Sequence, residues 1–475
     1  MSIKFSLDKS GKQGVISGDC IDEVREVFSV NNDAAKFMRY RSRFAPSRKY
    51  IITPAGKFDL GMFLDIRKYL LSQQKSNIFI EDNFRDAVFP KFNNCKPQKL
   101  NLDLRDYQEK IVDICTTRGR GVCVLATAGG KTLTIASLIE NIFNTNRSMK
   151  CLLLVPDLGL VTQTHNDFKE YGVSFLHSKW TGSNSLNLGS NVIIANLGIL
   201  QSSKTDISWI EHIDMLIVDE VHKLRKSNKI NKIIKTIRTN NRFGFTGTMP
   251  EDKIDQWNII GKIGPVLFER DSYQLRKDNY ISPVIAQVLK VEYKSSPKPG
   301  KRGDPTDGYR KEADFLVEST FRNNLIGKLC NKFDNNSLVM IDYIRHGEAL
   351  YETAKLFCPE KDVYFIRGSV DVAQREVIKK YIENKSNVVV IAISKIFSTG
   401  INIKNLHYIV FAGGGKAKIK ILQSIGRGLR KHASKDRLTI IDIADQLKYG
   451  YKHMVKRLTF YKKEKIDYGI KKIIE

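Results

Sequence analysis

From about residue 121 onward, short apolar and β-branched runs alternate with longer stretches of mixed polar and apolar positions. The first set is GVCVLAT (121–127), CLLLVP (151–156), NVIIANL (191–197), MLIVDE (215–220) and RFGFTGT (242–248). Each run is apolar at nearly every position, as a strand covered on both faces must be. The spacers are long enough for crossover helices, so the pattern predicts a doubly wound α/β domain with a parallel sheet. The pattern then restarts with SLVMI (337–341), DVYFI (362–366), NVVVIA (387–392), YIVFA (408–412) and LTIIDIA (438–444). Two α/β layers in tandem are therefore expected before any motif is considered.

Between the sets lies YKSSPKPGKRGDPTDGY (293–309), whose Lys, Gly, Pro and Ser content marks a long surface loop or hinge. The domain boundary is placed slightly earlier, near Ser282-Pro283. Residues 1 to about 95 follow neither repeat and suggest a small α+β accessory domain. The division is thus 1–95, 96–282 and 283–475. The last 30 residues read as helical, because Leu447, Tyr451, Met454, Leu458 and Tyr461 recur at helical spacing.

Composition narrows the partners. The chain has 475 residues, 42% of them hydrophobic, and a formal net charge of +27. A surplus that large favours a polyanion, since basic side chains displace counterions from phosphates. No apolar run approaches the length of a membrane span, and MSIKFSLDKSGKQ lacks a signal-peptide core, so a cytoplasmic protein without membrane contact is expected. The seven cysteines form no CxxC pair and the histidines show no ligand spacing, which argues against zinc.

ATAGGKT (126–132) follows the first strand and should open a helix, which is the context a phosphate loop needs. Small residues at Ala128, Gly129 and Gly130 let backbone N–H groups approach phosphate oxygens. Lys131 would neutralise β/γ-phosphate charge, and Thr132 would ligate Mg²⁺. The strict phosphate-loop pattern fails, because Leu125 stands where its first glycine belongs. A second feature supports the reading. LIVDEVHKL (216–224) puts Asp219 and Glu220 at the end of a buried strand, where a parallel sheet binds ligands. Asp219 would hold the metal shell and Glu220 would orient and deprotonate the attacking water. QSIGRGLRK (423–431) adds Arg427 and Arg430, which share one helical face and could spread charge over the γ-phosphate.

With these motifs in order, the chain resembles the superfamily-two helicases. ATAGGKT, DEVH, TGT (246–248) and QSIGRGLR look like motifs I, II, III and VI. LRDYQ (104–108) looks like the adenine-reading motif, and FSTGIN (397–402) like motif V. Within the family, 397–435, IRHGEAL (344–350) and the small N-terminal region are similar to phage branch-migration helicases of the UvsW type. The resemblance implies two tandem RecA-like domains, ATP and Mg²⁺ as cofactors, and DNA as partner, forked or branched. It also implies recombination or replication proteins as associates and, for a phage-encoded chain, the host cytoplasm.

Carried over by motif, Arg105, Gln108, Thr127, Ala128, Gly129, Gly130, Lys131, Thr132, Gly400, Asn402 and Gln423 would surround the nucleotide. Thr132 and Asp219 would hold Mg²⁺. His222, Thr246 and Thr248 would couple nucleotide state to DNA state, and Arg427 and Arg430 would reach the phosphates from the second domain. ATP bridging both domains, then lost on hydrolysis, would supply the opening and closing of a motor. Two departures stand out. Asn402 replaces an acidic residue common in motif V. Ala128 replaces a glycine, and its methyl is tolerable if φ is negative.

DNA contacts are less defined. KFMRYRSRFAPSRKY (36–50) carries six Lys/Arg and no acid, interleaved with aromatics. Arg39, Arg41 and Arg43 suit phosphate contact beside stacking rings. The stretch fits equally well as a solvated basic strand with its aromatics packed inward. The basic segment 446–475 is similarly open to DNA contact or to a snorkelling surface helix. The motif VI reading makes a direct prediction. Arg427→Ala and Arg430→Ala should each lower ATP turnover, on the order of 10³-fold for a transition-state arginine, with little loss of nucleotide affinity. Steady-state kinetics and nucleotide titration check this; wild-type turnover in both removes them from the site.

Overall fold

The computed structural model describes residues 2–32, 46–92, 95–202, 205–225, 229–298, 304–367, 381–382, 384–394, 405–413 and 435–475. The chain divides into two compact units, residues 1–126 with 130–271, and residues 127–129 with 272–475. No helix among the described residues is long and apolar enough to cross a membrane.

The first unit begins with strands β1 (Ile3–Leu7), β2 (Gln13–Ser17), β3 (Ser29–Asn31), β4 (Arg48–Tyr50), β5 (Lys57–Asp59) and β6 (Ile78–Ile80). Four form a sheet in the order β5-β2-β1-β6, and β3 and β4 form a separate ribbon. Strand alternation drives the packing. Ile3 and Phe5 of β1 and Ile16 of β2 point inward, and helices Phe63–Ser72 and Asp82–Val88 cover them. The Phe5 ring meets Phe63 at 5.0 Å and Phe58 at 6.0 Å, both edge-to-face. The expected α+β accessory region is thus present.

The same unit continues with β7 (Arg120–Leu125), β8 (Cys151–Val155), β9 (His177–Trp180), β10 (Val192–Asn196), β11 (Met215–Asp219), β12 (Arg242–Thr246) and β13 (Val266–Arg270). They form one parallel sheet in the order β13-β7-β12-β11-β8-β10-β9. The five strands expected from the first set of apolar runs are all here. The edge strands β9 and β13 come from segments of mixed polarity.

The N-terminal sheet is welded to this α/β layer by helix Lys253–Lys262. Gly61 lies so close to that helix that an added Cβ would stand 1.9 Å from the Ile260 carbonyl oxygen. Trp257 packs its ring 5.6 Å from Phe28. At the end of the helix, buried Lys262 pairs with Asp59. Arg120 donates from Nε to the Ile263 carbonyl at 2.9 Å, and Lys12 Nζ donates to the Thr236 carbonyl at 3.0 Å.

The second unit holds β14 (Val284–Glu292), β15 (Ser337–Ile341), β16 (Asp362–Ile366), β17 (Val388–Ile393), β18 (Tyr408–Phe411), β19 (Leu438–Asp445) and β20 (Asp467–Ile474). The parallel order is β16-β17-β15-β18-β19-β14-β20. A second RecA-like layer therefore stands where the restarted pattern put it. Its core contains a fully buried arginine. Arg322 donates to both oxygens of Asp445, at 2.8 and 3.1 Å, and to the Ala412 carbonyl at 2.7 Å.

Two segments differ from expectation. The stretch read as a loop through 309 contains the start of helix Pro305–Glu318, which Asp304 caps by accepting from the Thr306 and Asp307 amides. Asp followed by Pro at the first helical position is a strong start signal that the loop-like composition hid. The C-terminal helix runs over Lys448–Lys463 and gives way to strand β20. There Ile470, Ile473 and Ile474 follow the β14 backbone, which offers the ladder partners that extend the sheet.

The seam pair yields a stability prediction. Asp59→Asn leaves Lys262 buried without its counter-charge, which should lower the unfolding free energy by about 3–5 kcal/mol. Burial opposes ionisation of Asp59, yet Lys262 outweighs it and holds the carboxyl below its usual value of 3.8. The Asp59 contribution is therefore fully present above pH 3.8 and is lost as pH falls through the depressed folded value. Denaturant melts of both proteins at neutral pH measure the loss; equal midpoints would mean that the pair does not hold the seam.

Candidate nucleotide site

The site grows from three strand ends. β7 ends at Leu125, and the chain passes through ATAGG into helix Lys131–Phe143. β11 ends at Asp219, and β12, its neighbour, ends at Thr246. In a parallel sheet these C-terminal ends share one edge, so residues far apart in sequence converge there.

Gly130 takes φ +77° as the cap of the helix. A Cβ there would lie 2.3 Å from the Gln108 amide nitrogen. Gln108 instead donates that amide to the Gly130 carbonyl at 3.1 Å. Its other end accepts from the Arg105 backbone N–H at 2.8 Å. One end of this buried amide thus ties the LRDYQ segment to the loop, and the other closes the segment's own turn. Next to it, Arg105 donates to the Tyr107 hydroxyl at 2.8 Å, and the Arg270 guanidinium lies 4.5 Å from the Tyr107 ring centre. Tyr107 is wholly buried. Sequence reading passed it over, although an aromatic beside Gln108 was a visible signal.

The loop departs from expectation at one point. Ala128 has φ +67°, in the left-handed region. The condition set for tolerating its methyl, a negative φ, is not met. A non-glycine residue there costs about 1–2 kcal/mol of local strain, which the surrounding fold must offset. Glu220 is also left-handed, at φ +51°. It directly follows β11 and turns its carboxylate toward the loop.

A chain of polar contacts then crosses three strands. Lys131 Nζ lies 3.3 Å from Glu220 Oε1, and His222 Nδ1 lies 3.2 Å from Glu220 Oε2. His222 Nδ1 is also 2.9 Å from Thr246 Oγ1. The Thr246 hydroxyl donates to the Thr248 carbonyl at 3.0 Å. Asp219 accepts from the Glu220 N–H on Oδ1 at 2.9 Å. The two carboxylates titrate in opposite directions. Burial, then the neighbouring Glu220 charge, pushes Asp219 up. Burial opposes ionisation of Glu220 too, but Lys131 and His222 outweigh it and hold Glu220 ionised.

The structure therefore brings together Arg105, Gln108, Gly130, Lys131, Asp219, Glu220, His222, Thr246 and Thr248, with Thr132 one residue into the same helix. Arg39, Arg41, Arg43, Gly400, Asn402, Gln423, Arg427 and Arg430 lie outside the described residues. Among the described residues no cluster of three or more metal-ligating side chains occurs. The Asp219 carboxylate and the Thr132 hydroxyl are hard oxygen donors of the kind Mg²⁺ takes, and Mg²⁺ keeps most of its waters and needs few protein ligands.

Comparison with known proteins agrees with this arrangement. Residues 101–251 match the family described as Type III restriction enzyme, res subunit, and residues 321–432 match the helicase conserved C-terminal domain. The chain is 30% identical over 392 residues to the ATP-dependent DNA helicase uvsW of Enterobacteria phage T4, covering 77% of this chain and 76% of that one. It is 23% identical over 417 residues to the DNA 3'-5' translocase XPB2 of Sulfurisphaera tokodaii, covering 78% of this chain and 86% of the relative. In fold, it resembles the DNA-bound Type ISP restriction-modification enzyme LlaBIII, with a TM-score of 0.58 at 16% identity, over 85% of this chain and 34% of that one. The chain belongs to the superfamily-two, ATP-hydrolysing DNA helicases and is similar to UvsW.

Proposed function

We propose that this helicase uses ATP hydrolysis to separate strands at DNA forks and to migrate branched junctions. The observation that carries the chemistry is the Lys131–Glu220 contact at 3.3 Å, continued through His222 to Thr246. A triphosphate at the N-terminus of helix Lys131–Phe143 meets a favourable dipole and offers Lys131 a stronger anionic partner than one carboxylate. Movement of Lys131 toward the β/γ-phosphates would release Glu220, which then accepts a proton from the attacking water. Asp219 and Thr132 would hold Mg²⁺, which would neutralise phosphate charge. Any shift of Glu220 is felt by His222 and, through it, by Thr246 and Thr248, the residues expected to report nucleotide state to DNA.

Branch migration rests on the UvsW-type resemblance of the sequence and on the N-terminal α+β region with its basic segment at 36–50. A second reading draws support from the restriction-subunit match over 101–251: a translocase that works within a larger assembly and separates few strands alone.

Lys131→Ala should bring ATP hydrolysis to background with the fold retained; activity within about threefold of wild type would sink the phosphate-loop role, since removing the cation beside the γ-phosphate costs far more. Glu220→Gln should still bind ATP and turn over about 10²–10⁴-fold more slowly. Loss of nucleotide binding in a folded Glu220→Gln protein would contradict its role as the base. ATPase and unwinding on single strands, forks, four-way junctions and RNA duplexes test the substrate. Fork and junction unwinding by the isolated chain is expected; DNA-stimulated hydrolysis without it selects the second reading.

A further inference from the structure

A second polar cavity lies at the opposite edge of the first RecA-like sheet. Arg120 is the first residue of β7 and Arg242 the first of β12. Strands of this length put that edge roughly 15–20 Å from the phosphate loop. The two arginines are register partners on neighbouring strands. They line a cavity of about 200 Å³ where the N-terminal sheet meets the α/β layer. At about 30 Å³ per water, it has room for a phosphate group and several waters.

The cavity is strongly cationic. Lys12, Arg120, Lys235, Arg238, Arg242 and Lys262 line it, with Asp59 as the lining carboxylate. Asp59 pairs with Lys262, while Glu211 beside the rim engages Lys12 and Arg238. Like charges in register on neighbouring strands destabilise a sheet. Burial, and for Arg120 the nearby Arg242, pulls both guanidinium groups below their usual range. Part of the charge has a structural task. Arg120 donates to the Ile263 and Ala87 carbonyls, and Arg242 to the Lys262, Ile237 and Thr239 carbonyls, so both are held by backbone around the C-terminal end of helix Lys253–Lys262. Arg238 answers Glu211 there, but neither that pair nor helix capping accounts for exposed Lys235 at the same opening. A low-dielectric cavity with surplus positive charge concentrates field lines on an anion.

We propose that this seam cavity binds a backbone phosphate of DNA, giving the N-terminal region and the first RecA-like layer a shared hold on the duplex away from the nucleotide edge. Phosphate contact would add grip without sequence preference. The proposal rests on the chain acting on DNA, and its test leaves the ATP site untouched.

The test uses the full chain carrying Lys235→Gln with Arg238→Gln, two exposed positions whose neutralisation spares the core. Affinity for a fluorescein-labelled duplex is titrated against salt. Releasing one phosphate should lower the log–log slope by about 1 unit, at ~0.9 per neutralised phosphate. DNA-independent ATP hydrolysis should stay at the wild-type rate, which separates failure here from failure of the nucleotide site. Arg242→Gln, checked for folding by thermal melt, should act in the same direction. Unchanged slope and affinity in the double variant overturn the proposal. Inorganic phosphate is the second probe. If it stabilises wild type but not the double variant against heat, while both bind duplex with equal slopes, the cavity serves free phosphate and the DNA assignment falls.

Discussion

A parallel strand covered by helices on both faces can place charge only at its ends. β7, β8 and β11 are buried at every position. Their polar chemistry is therefore displaced to two edges of the sheet. At the C-terminal edge, Lys131, Glu220, His222 and Thr246 form a continuous series of contacts. At the N-terminal edge stand Arg120 and Arg242, tied to backbone carbonyls, one of them that of Ala87 in the N-terminal helix Asp82–Val88. The same constraint that makes the core apolar makes each edge electrostatically intense, because charges there are partly removed from water.

That intensity explains the opposing behaviour of Asp219 and Glu220. They are consecutive, yet the left-handed turn at Glu220 sends the second carboxylate to Lys131 and His222, while the first stays under the strand end. Glu220 is held ionised against burial by Lys131 and the His222 contact, and Asp219 is discouraged from ionising by burial and by its neighbour. Paired acids with separated titration suit the division of labour between metal binding and base catalysis. The backbone strain at Ala128 and Glu220 sits on both sides of this group, where a fold that is rigid elsewhere can maintain it.

The α/β architecture was legible because burial on both faces leaves an unbroken apolar run, and such runs marked ten strands of the two sheets. The remaining strands lacked that signature for a physical reason. β9 and β13 are edge strands with partly exposed positions, β20 is mostly exposed, and β14 beside it mixes buried with half-buried positions, so none of the four needs to be uniformly apolar. At the candidate nucleotide site, residue types and order pointed to Lys131, Asp219, Glu220, His222 and Thr246, which the fold brings together. What could not be read was conformation: the positive φ of Ala128, and the use of the Gln108 amide to bridge the Arg105 turn and the loop. The seam was equally hidden. Asp59 and Lys262 are 203 positions apart, and neither lies in a motif.

The placement of β14 has a consequence for synthesis. It leads its unit in sequence, yet its two ladder neighbours are β19 and β20, from the far end of the unit. A nascent β14 must wait for roughly 150 residues before the nearer partner emerges, about 8–30 s at ~5–20 residues per second. During that interval an apolar strand has both hydrogen-bonding edges unpaired, which is the condition that invites association between neighbouring chains on a polysome. The first strand of the second unit is thus among the last to complete its pairing, while β15 to β18 can pair with one another as they emerge.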